Sequence, residues 1–218
     1  MAGWGLVIAL RDHAWIDVRF AGRRTIPIEP PVPEDFAAEH GDHALNEDMQ
    51  PMLPLKPAAV LVPLIQRPDE LTVLFTQRTS HLAHHAGQVS FPGGHIEPED
   101  GGPADTALRE TEEEVGLDRK HVRIVGRLDT YVPRTGFVVT PVVGIVSPPF
   151  ALKPDAHEVA EIFEVPLSFL LDRRNHQRCS AEFEGKTRFF WAMPYGRHFI
   201  WGATAGMLIN LCDILDGR

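Results

Sequence analysis

The chain has 218 residues, enough for one domain with a sizeable core, and its 44% hydrophobic and 23% charged residues exclude wholesale disorder. Its 21 Lys and Arg residues against 30 Asp and Glu residues give a net charge of −9. This acidic balance disfavours a nucleic acid as the main partner, so none is expected.

The N-terminal quarter of the chain shows little periodic pattern. Residues 4–10 are apolar, but the run is too short to span a bilayer and lacks a basic leader. We therefore expect neither export nor a membrane partner. Residues 26–56 combine many prolines with acidic residues, which is typical of an irregular linker or arm. We predict an N-terminal extension or arm over residues 1–55 and one main domain over residues 56–218.

Apolar runs separated by turn residues predict the strands of the main domain. Residues 58–65 and 71–78 predict a hairpin whose turn is formed by residues 67–70. Further strands are predicted at 122–132, 136–146, 179–190 and 197–201, with breaks at 184–185 and 195–196, and helices at 167–171 and 203–215. This order predicts an α/β fold with a mixed β-sheet between helices.

The segment from Pro103 to Gly116 predicts a helix that carries an acidic face. Proline suits a first helical turn and glycine a left-handed C-terminal cap. The stripe expected to pack contains Ala104, Ala107, Leu108, Thr111 and Val115, and the flank beside it contains Glu110, Glu113 and Glu114. Like charges at this spacing destabilise a helix. Oxygen ligands indicate a hard divalent ion, Mg²⁺ or Mn²⁺, as the compensation. The alternative is a solvated acidic helix face.

The turn before this helix, residues 91–94, ends in the glycine pair Gly93 and Gly94. Paired glycines let backbone atoms approach a metal ion or a phosphate closely. Arg109 lies four residues before Glu113 and beside Glu110, where it can orient a carboxylate without being a ligand.

The histidines at positions 81, 84, 85 and 95 allow a second interpretation, because His81 and His85 could share a helical face and bind zinc. No cysteine lies nearby and the carboxylates are adjacent, so a hard-metal site is favoured. The two cysteines, Cys179 and Cys212, lie far apart without metal-ligand spacing. We expect two small buried residues, no disulfide and a reducing cytoplasm. A homo-oligomer and a monomer are both open.

The acidic segment resembles the box that defines the Nudix hydrolase family, GX5EX7REUXEEXGU with U an aliphatic residue. The second half matches at Arg109, Glu110, Glu113, Glu114, Gly116 and Leu117. The first half departs: Gly94 is one residue too far from Arg109, Asp100 stands in the place of a glutamate, and Thr111 replaces an aliphatic residue. The resemblance implies a Nudix-type α/β/α sandwich. It also implies metal binding by Glu110, Glu113 and Glu114, with the Gly94 carbonyl as a further ligand.

The segment upstream is similar to the motif of the coenzyme A pyrophosphatase branch, LLTXR[SA]X3RX3GX3FPGG. Eight positions agree at the right spacings: Leu74, Thr76, Arg78, Gly87, Phe91, Pro92, Gly93 and Gly94. Phe75, Thr79 and Ala83 differ, and Ala83 replaces an arginine that could serve a phosphate of coenzyme A. His84 or Arg134 could substitute for that arginine. The resemblance covers roughly residues 56–215.

The resemblance implies a metal-dependent enzyme that cleaves the diphosphate of coenzyme A or a derivative. Arg78 is expected to clamp phosphate oxygens, with Gly93, His84 and Arg134 as further substrate contacts. Glu110 and Glu158 are both candidates for the general base. Tyr131, Arg134 and Phe137 are expected either to line the substrate cleft or to be ordinary turn and strand residues. The alternatives are a Nudix hydrolase of ADP-ribose or another nucleoside diphosphate compound, and a metabolite-sensing module without turnover.

Overall fold

The structure is a computed structural model that describes residues 13–28, 40–81 and 86–217. A nine-stranded mixed sheet forms its centre. Its strands are β1 His40–Gly41, β2 Lys56–Gln66, β3 Leu71–Arg78, β4 Val89–Ser90, β5 Gly93–His95, β6 Val122–Arg127, β7 Tyr131–Val132, β8 Phe137–Val146 and β9 Val159–Pro166. The helices are α1 Ala14–Arg19, α2 Pro103–Val115, α3 Leu167–Leu171 and α4 Gly202–Asp216.

Strand β2 is the central strand of this sheet. It runs parallel to β8 on one side and antiparallel to β3 and β5 on the other. The path β1-β7-β8-β2-β3-β4 is extended by β6, which pairs with β8, and by β9, which pairs with β3. The predicted hairpin of residues 58–78 is confirmed as β2 and β3.

The two faces of β2 are covered by different helices. Ala59 and Leu61 pack with Ala107 of α2, whereas Val62 and Leu64 belong to the cluster that contains Leu208 and other residues of α4. Because side chains alternate along a strand, a strand buried on both faces reads as a continuous apolar run. The predicted mixed sheet between helices is therefore confirmed.

The predicted strand over residues 122–132 is interrupted. Strand β6 ends at Arg127 and β7 begins at Tyr131, and both pair with β8. Between them, Leu128 donates its backbone N–H to the carbonyl of Pro141 at 2.9 Å. Proline has no N–H to return to the ladder, so regular pairing stops opposite Pro141.

The strands predicted near the C-terminus, at 179–190 and 197–201, form a second sheet. Strands β10 Gln177–Phe183, β11 Lys186–Tyr195 and β12 His198–Trp201 pair antiparallel in chain order. The predicted breaks at 184–185 and 195–196 are confirmed as the two turns. Instead of extending the mixed sheet, these strands form a separate sheet that packs against α4.

The described part of the N-terminal segment packs against the domain. Helix α1 contacts α4, and Ile16 and Phe20 are fully buried in the main core. Arg123 of β6 donates two hydrogen bonds to the Asp17 carboxylate, at 2.9 and 3.1 Å. Residues 26–28 and 42–55, apart from one short 3-10 turn, are irregular as expected. A boundary at residue 55 stays a prediction.

Two further predictions concern membranes and cysteines. Among the helices of the described residues, none has both the length and the apolar character needed to cross a bilayer. Both cysteines are free thiols. Cys212 is buried as expected, whereas Cys179 on β10 is only partly buried.

Candidate active site

Helix α2 carries the acidic face and has the predicted boundaries. It begins at Pro103 and ends at Val115, and the following Gly116 has a φ of 70°, the left-handed cap conformation. The three glutamates differ in burial: Glu113 has a side chain 61% exposed, Glu110 is half-buried, and Glu114 is 6% exposed. The flank that carries the three glutamates is thus not uniformly exposed, and Glu114 is buried because α2 rests against β2 and β5.

Glu114 is a buried carboxylate without full compensation. Its Oε2 atom has no hydrogen-bond partner among the described residues. The nearest cation is Arg78, whose Nη1 lies 3.9 Å from Oε1. Burial raises the pKa of Glu114 to about 8, while Arg78 and the Gly93 backbone amide act in the opposite direction. Buried polar atoms are normally paired, so this oxygen is suited to a further ligand.

The glycine pair brings the backbone of β5 against the acidic face. A Cβ atom at Gly94 would overlap the Glu110 carboxylate, so glycine lets Glu110 keep its present position beside the strand. Gly93 has a φ of 153°, and a Cβ there would lie 2.5 Å from the Cα of Val60. Burial raises the pKa of Glu110, and the neighbouring Arg109 opposes that shift.

Arg109 organises the carboxylates around it. Its guanidinium forms a bidentate pair with Asp100, with distances of 2.8 and 3.0 Å. It also donates to Glu110 at 3.1 Å, to Glu113 at 3.3 Å and to the backbone carbonyl of His95 at 3.2 Å. Arg109 therefore orients carboxylates, as the sequence suggested.

Asp100 has a structural role that the sequence analysis missed. Besides Arg109, it accepts hydrogen bonds from the Thr106 hydroxyl at 2.7 Å and the Glu97 backbone N–H at 2.9 Å. The Arg109 guanidinium, helped by these donors, holds the pKa of Asp100 well below its usual range. The signal available in the sequence was an acid at the expected distance from Gly94.

The end of β3 and the start of β9 add a second cluster. Arg78 lies at the end of β3, and its Nη2 is 3.9 Å from Oε2 of Glu158. Thr79 holds the segment before β9: its N–H donates to the Glu158 carbonyl and its hydroxyl to the His157 carbonyl, at 2.9 and 2.8 Å. Sequence reasoning missed this anchoring by Thr79. The structure therefore brings Arg78, Glu114 and Glu158 together.

Among the described residues, no three His, Cys, Asp or Glu side chains are close enough together to hold a metal ion. The carboxylates of this site therefore do not converge on one point. The cause is visible at Glu113, which turns toward Arg109 and solvent. Two features nevertheless fit a metal ion: the unpartnered Oε2 of Glu114 and the close approach of Gly94 to Glu110. An all-oxygen donor set matches a hard divalent ion.

The histidines His81 and His95 and the predicted substrate contact Arg134 have other partners in the structure. The His81 ring lies 5.0 Å from that of His157, and the His95 ring 4.9 Å from that of Phe137. Arg134 donates its backbone N–H to Asp42 and its guanidinium to Glu184, each at 2.8 Å. Its contacts thus join it to the second sheet and not to the Arg78 cluster.

Of the remaining predicted positions, two lie in the described residues and three lie outside them. Tyr131 is buried and donates its hydroxyl to Asp42, and Phe137 is partly buried at the start of β8. His84 and Ala83 lie outside the described residues, as does His85. Their predicted contacts stay predictions.

Comparison with known proteins places these features in a family. A model described as the NUDIX domain matches residues 55–185. The chain is 40% identical over 154 residues to the uncharacterized Nudix hydrolase NudL of Escherichia coli strain K12, covering 71% of this chain and 80% of NudL.

Solved structures give weaker likenesses. An Ap4A hydrolase binary complex from C. elegans is 21% identical with a TM-score of 0.44, covering 52% of this chain and 82% of that one. The NUDIX domain of Shewanella oneidensis NrtR with ADP ribose is 19% identical with a TM-score of 0.42, covering 60% and 84%. From the family model and the identity to NudL, the chain belongs to the Nudix hydrolases, which cleave phosphoric anhydrides of small nucleotide derivatives and generally use divalent metal ions.

Proposed function

We propose that the protein hydrolyses the diphosphate of coenzyme A or a derivative, giving 3′,5′-ADP and 4′-phosphopantetheine or its acylated form. The observation that carries the proposal is the position of Arg78. Arg78 is the last residue of β3 and lies beside Glu114 and Glu158. A planar guanidinium there suits bidentate contact with phosphate oxygens.

Glu110, Glu113, Glu114 and the Gly94 carbonyl would hold the divalent ion, Mg²⁺ or Mn²⁺. When bound, such an ion neutralises charge on the diphosphate and lowers the pKa of water. To bind the ion, Glu113 would give up its hydrogen bond with Arg109, while Asp100 would keep the Arg109 guanidinium in place. Gly93 would contact the substrate through its backbone alone, because the space that a side chain would take is occupied by Val60 of β2.

Two residues are proposed as alternatives for the general base that takes a proton from the attacking water. Glu158 is half-exposed, close to Arg78, and anchored through Thr79. Glu110 is more buried, and its raised pKa makes the ionised carboxylate a stronger base. The pH profiles of kcat for Glu158→Gln and Glu110→Gln decide between them. Loss of the acidic limb in only one variant identifies the base, whereas unchanged limbs in both would reject the two assignments.

The substrate assignment is tested by mass spectrometry of the products from coenzyme A with Mg²⁺ or Mn²⁺. We expect 3′,5′-ADP and 4′-phosphopantetheine in equal amounts. ADP-ribose and dinucleoside polyphosphates, run in parallel, test the closest alternative. Turnover of these compounds without turnover of coenzyme A would move the protein to the other nucleoside diphosphate substrates.

Ala83 gives a sharper test of how coenzyme A would be recognised. If the motif arginine serves the 3′-phosphate, wild-type protein should discriminate poorly between coenzyme A and its 3′-dephospho form, and Ala83→Arg should create discrimination. A charge-assisted contact predicts a change in the kcat/KM ratio of roughly tenfold to a hundredfold. A strong wild-type preference for coenzyme A would point to another cation, such as His84 or Arg134.

The non-enzymatic alternative is a metabolite-sensing module. The retained Glu110, Glu113 and Glu114 set favours catalysis instead. Tight nucleotide binding without any product across the substrate panel would favour the sensor. The two free cysteines suit a reducing compartment, and we accordingly propose a cytoplasmic location.

A further inference from the structure

Strand β10 is an open edge of the second sheet. It pairs with β11 on one side, and within the described residues no strand pairs with its other side. All of its seven residues are exposed except Cys179, which is partly buried, and the strand contains no proline. An edge of this kind presents unpaired backbone N–H and C=O groups that can accept another strand.

Two opposite charges lie on one face of this edge strand. The Arg178 guanidinium lies 4.5 Å from the centre of the Phe189 ring, and Glu182 accepts a hydrogen bond from the Thr187 hydroxyl at 2.5 Å. Because successive side chains of a strand point to opposite faces, Arg178, Ser180 and Glu182 share a face. Phe189 of β11 is paired with Ser180 on that face. Neither charge forms an ion pair with another residue in the described part of the chain.

The spacing of these charges makes the strand complementary to itself. When two antiparallel copies of β10 meet with the two-fold axis at Ser180, Arg178 of each copy stands opposite Glu182 of the other. A two-fold axis at Cys179 would place Arg178 opposite Ser180 and leave the charges unmatched. Parallel pairing in register would place Arg178 beside Arg178, which is unfavourable.

We propose that two copies of this chain associate through antiparallel β10 strands, which joins two three-stranded sheets into one of six strands. The register contains two Arg178–Glu182 pairs and covers the open backbone edge of both copies. On the opposite face it places Phe183, which is 46% exposed, opposite Gln177 of the second copy. The partner that fits this surface is therefore a second molecule of the same protein.

The charge pairing is tested by sedimentation velocity of the full chain. Wild-type protein should be dimeric in the micromolar range. Arg178→Glu and Glu182→Arg each create two like-charge pairs and should raise the dimer Kd by about tenfold or more. The double variant exchanges the charges and should recover the wild-type Kd within about threefold. Lys120→Glu, on a turn after α2, changes net charge as Arg178→Glu does and should leave the Kd unchanged.

The register is tested by cross-linking. Directly opposed residues in an antiparallel pair have Cα atoms about 4.5–5.5 Å apart, within disulfide reach. The Ser180-centred register places position 181 opposite Cys179, so Ala181→Cys should give covalent dimers under a mild oxidant. The matched variant Cys179→Ser with Ala181→Cys should not. Coenzyme A turnover and thermal melting, measured alongside, show that the variants are folded.

Three outcomes would overturn the proposal. A wild-type chain that stays monomeric across the range removes the interface. A dimer whose Kd ignores both single charge reversals, or that the double variant fails to restore, uses another surface. Covalent dimers in the Cys179→Ser control would assign the contact to a different register.

Discussion

Glu114 shows most clearly how a single residue links stability to the site. It is a carboxylate of a helix that packs on the sheet, and one of its oxygens lacks a hydrogen-bond partner among the described residues. A buried charge without full compensation is costly, and the group responds by holding a proton. A bound cation would remove that cost, so metal and proton should compete for the same carboxylate.

The first prediction concerns the stability of metal-free protein as a function of pH. The pKa of Glu114 is raised from its ordinary 4.5 to about 8 by burial. Below pH 4.5 both folded and unfolded states hold the proton, so the group contributes nothing. Between 4.5 and 8 the folded state binds more protons, and the free energy of unfolding falls as pH rises. The loss approaches its full value above pH 8.

Glu114→Gln should remove this dependence. The free energy of unfolding is measured by urea denaturation in EDTA at pH 5 and at pH 8.5. Between these two pH values it should fall by roughly 2–5 kcal/mol more in the wild type than in the variant. Comparing the two proteins cancels the titration of other groups. Equal losses in wild type and variant would mean that Glu114 is ionised at pH 5 in the folded state.

The second prediction concerns Arg78 as a phosphate contact. Arg78→Ala should lower kcat/KM by roughly tenfold to a hundredfold, because a charge-assisted bidentate contact is worth about 1.5–3 kcal/mol. Arg78→Lys should lose less. Arg174→Ala is a matched control, since its side chain is 90% exposed and pairs only with Asp172 among the described residues. A wild-type kcat/KM in Arg78→Ala would make Arg78 a structural residue.

At the scale of the element, helix α2 separates acids that face the site from one that does not. Glu112 accepts hydrogen bonds from the Arg119 backbone and guanidinium, at 2.9 and 2.8 Å. Glu113 and Glu114 follow it in sequence but lie on other sides of the helix, because each residue turns by about 100°. One helix thus provides both the test positions and their control.

The third prediction follows from this arrangement. Glu113→Gln and Glu114→Gln should each lower turnover by orders of magnitude, and chelation should abolish it in the wild type. Glu112→Gln should keep turnover within about threefold, because it removes only a partly exposed ion pair and the amide oxygen can still accept from the Arg119 backbone. Turnover measured with titrated Mg²⁺ and Mn²⁺ checks this. Full activity of the two test variants in EDTA would reject the metal assignment.

At the scale of the whole molecule, the described N-terminal residues belong to the packed structure. Phe20 is fully buried, and its ring edge would be 2.9 Å from a Cβ atom at Gly126. Val18, two residues earlier and within α1, is 72% exposed. The domain is thus in contact with a segment that sequence patterns assigned to an arm.

The fourth prediction measures that contact. Phe20→Ala should lower the free energy of unfolding by about 3–5 kcal/mol, as expected for a large buried aromatic. Val18→Ala should change it by less than about 0.5 kcal/mol. Urea denaturation of both variants provides the comparison. Equal, small effects would mean that α1 contributes little to the stability of the domain.

Local patterns predicted many of the elements and part of the site. The boundaries of α2 follow from Pro103 and Gly116, because caps depend on the conformation of single residues. The hairpin of β2 and β3 and the two turns of the second sheet were also predictable, since each connects neighbouring segments. Arg109 lies within one helical turn of Glu110 and Glu113, so its contacts with them follow from spacing.

The sequence by itself determined the helix, its acids, the glycine turn and the resemblance that identifies the family. Only the tertiary structure decided that Glu114 is buried, that Arg78 lies 3.9 Å from both Glu114 and Glu158, and that Arg134 joins the second sheet. It also decided the parallel pairing of β2 with β8 and the separation of the two sheets. These contacts join segments far apart in the chain. Their formation depends on which apolar faces pack together across the whole domain, and local spacing carries no record of that choice.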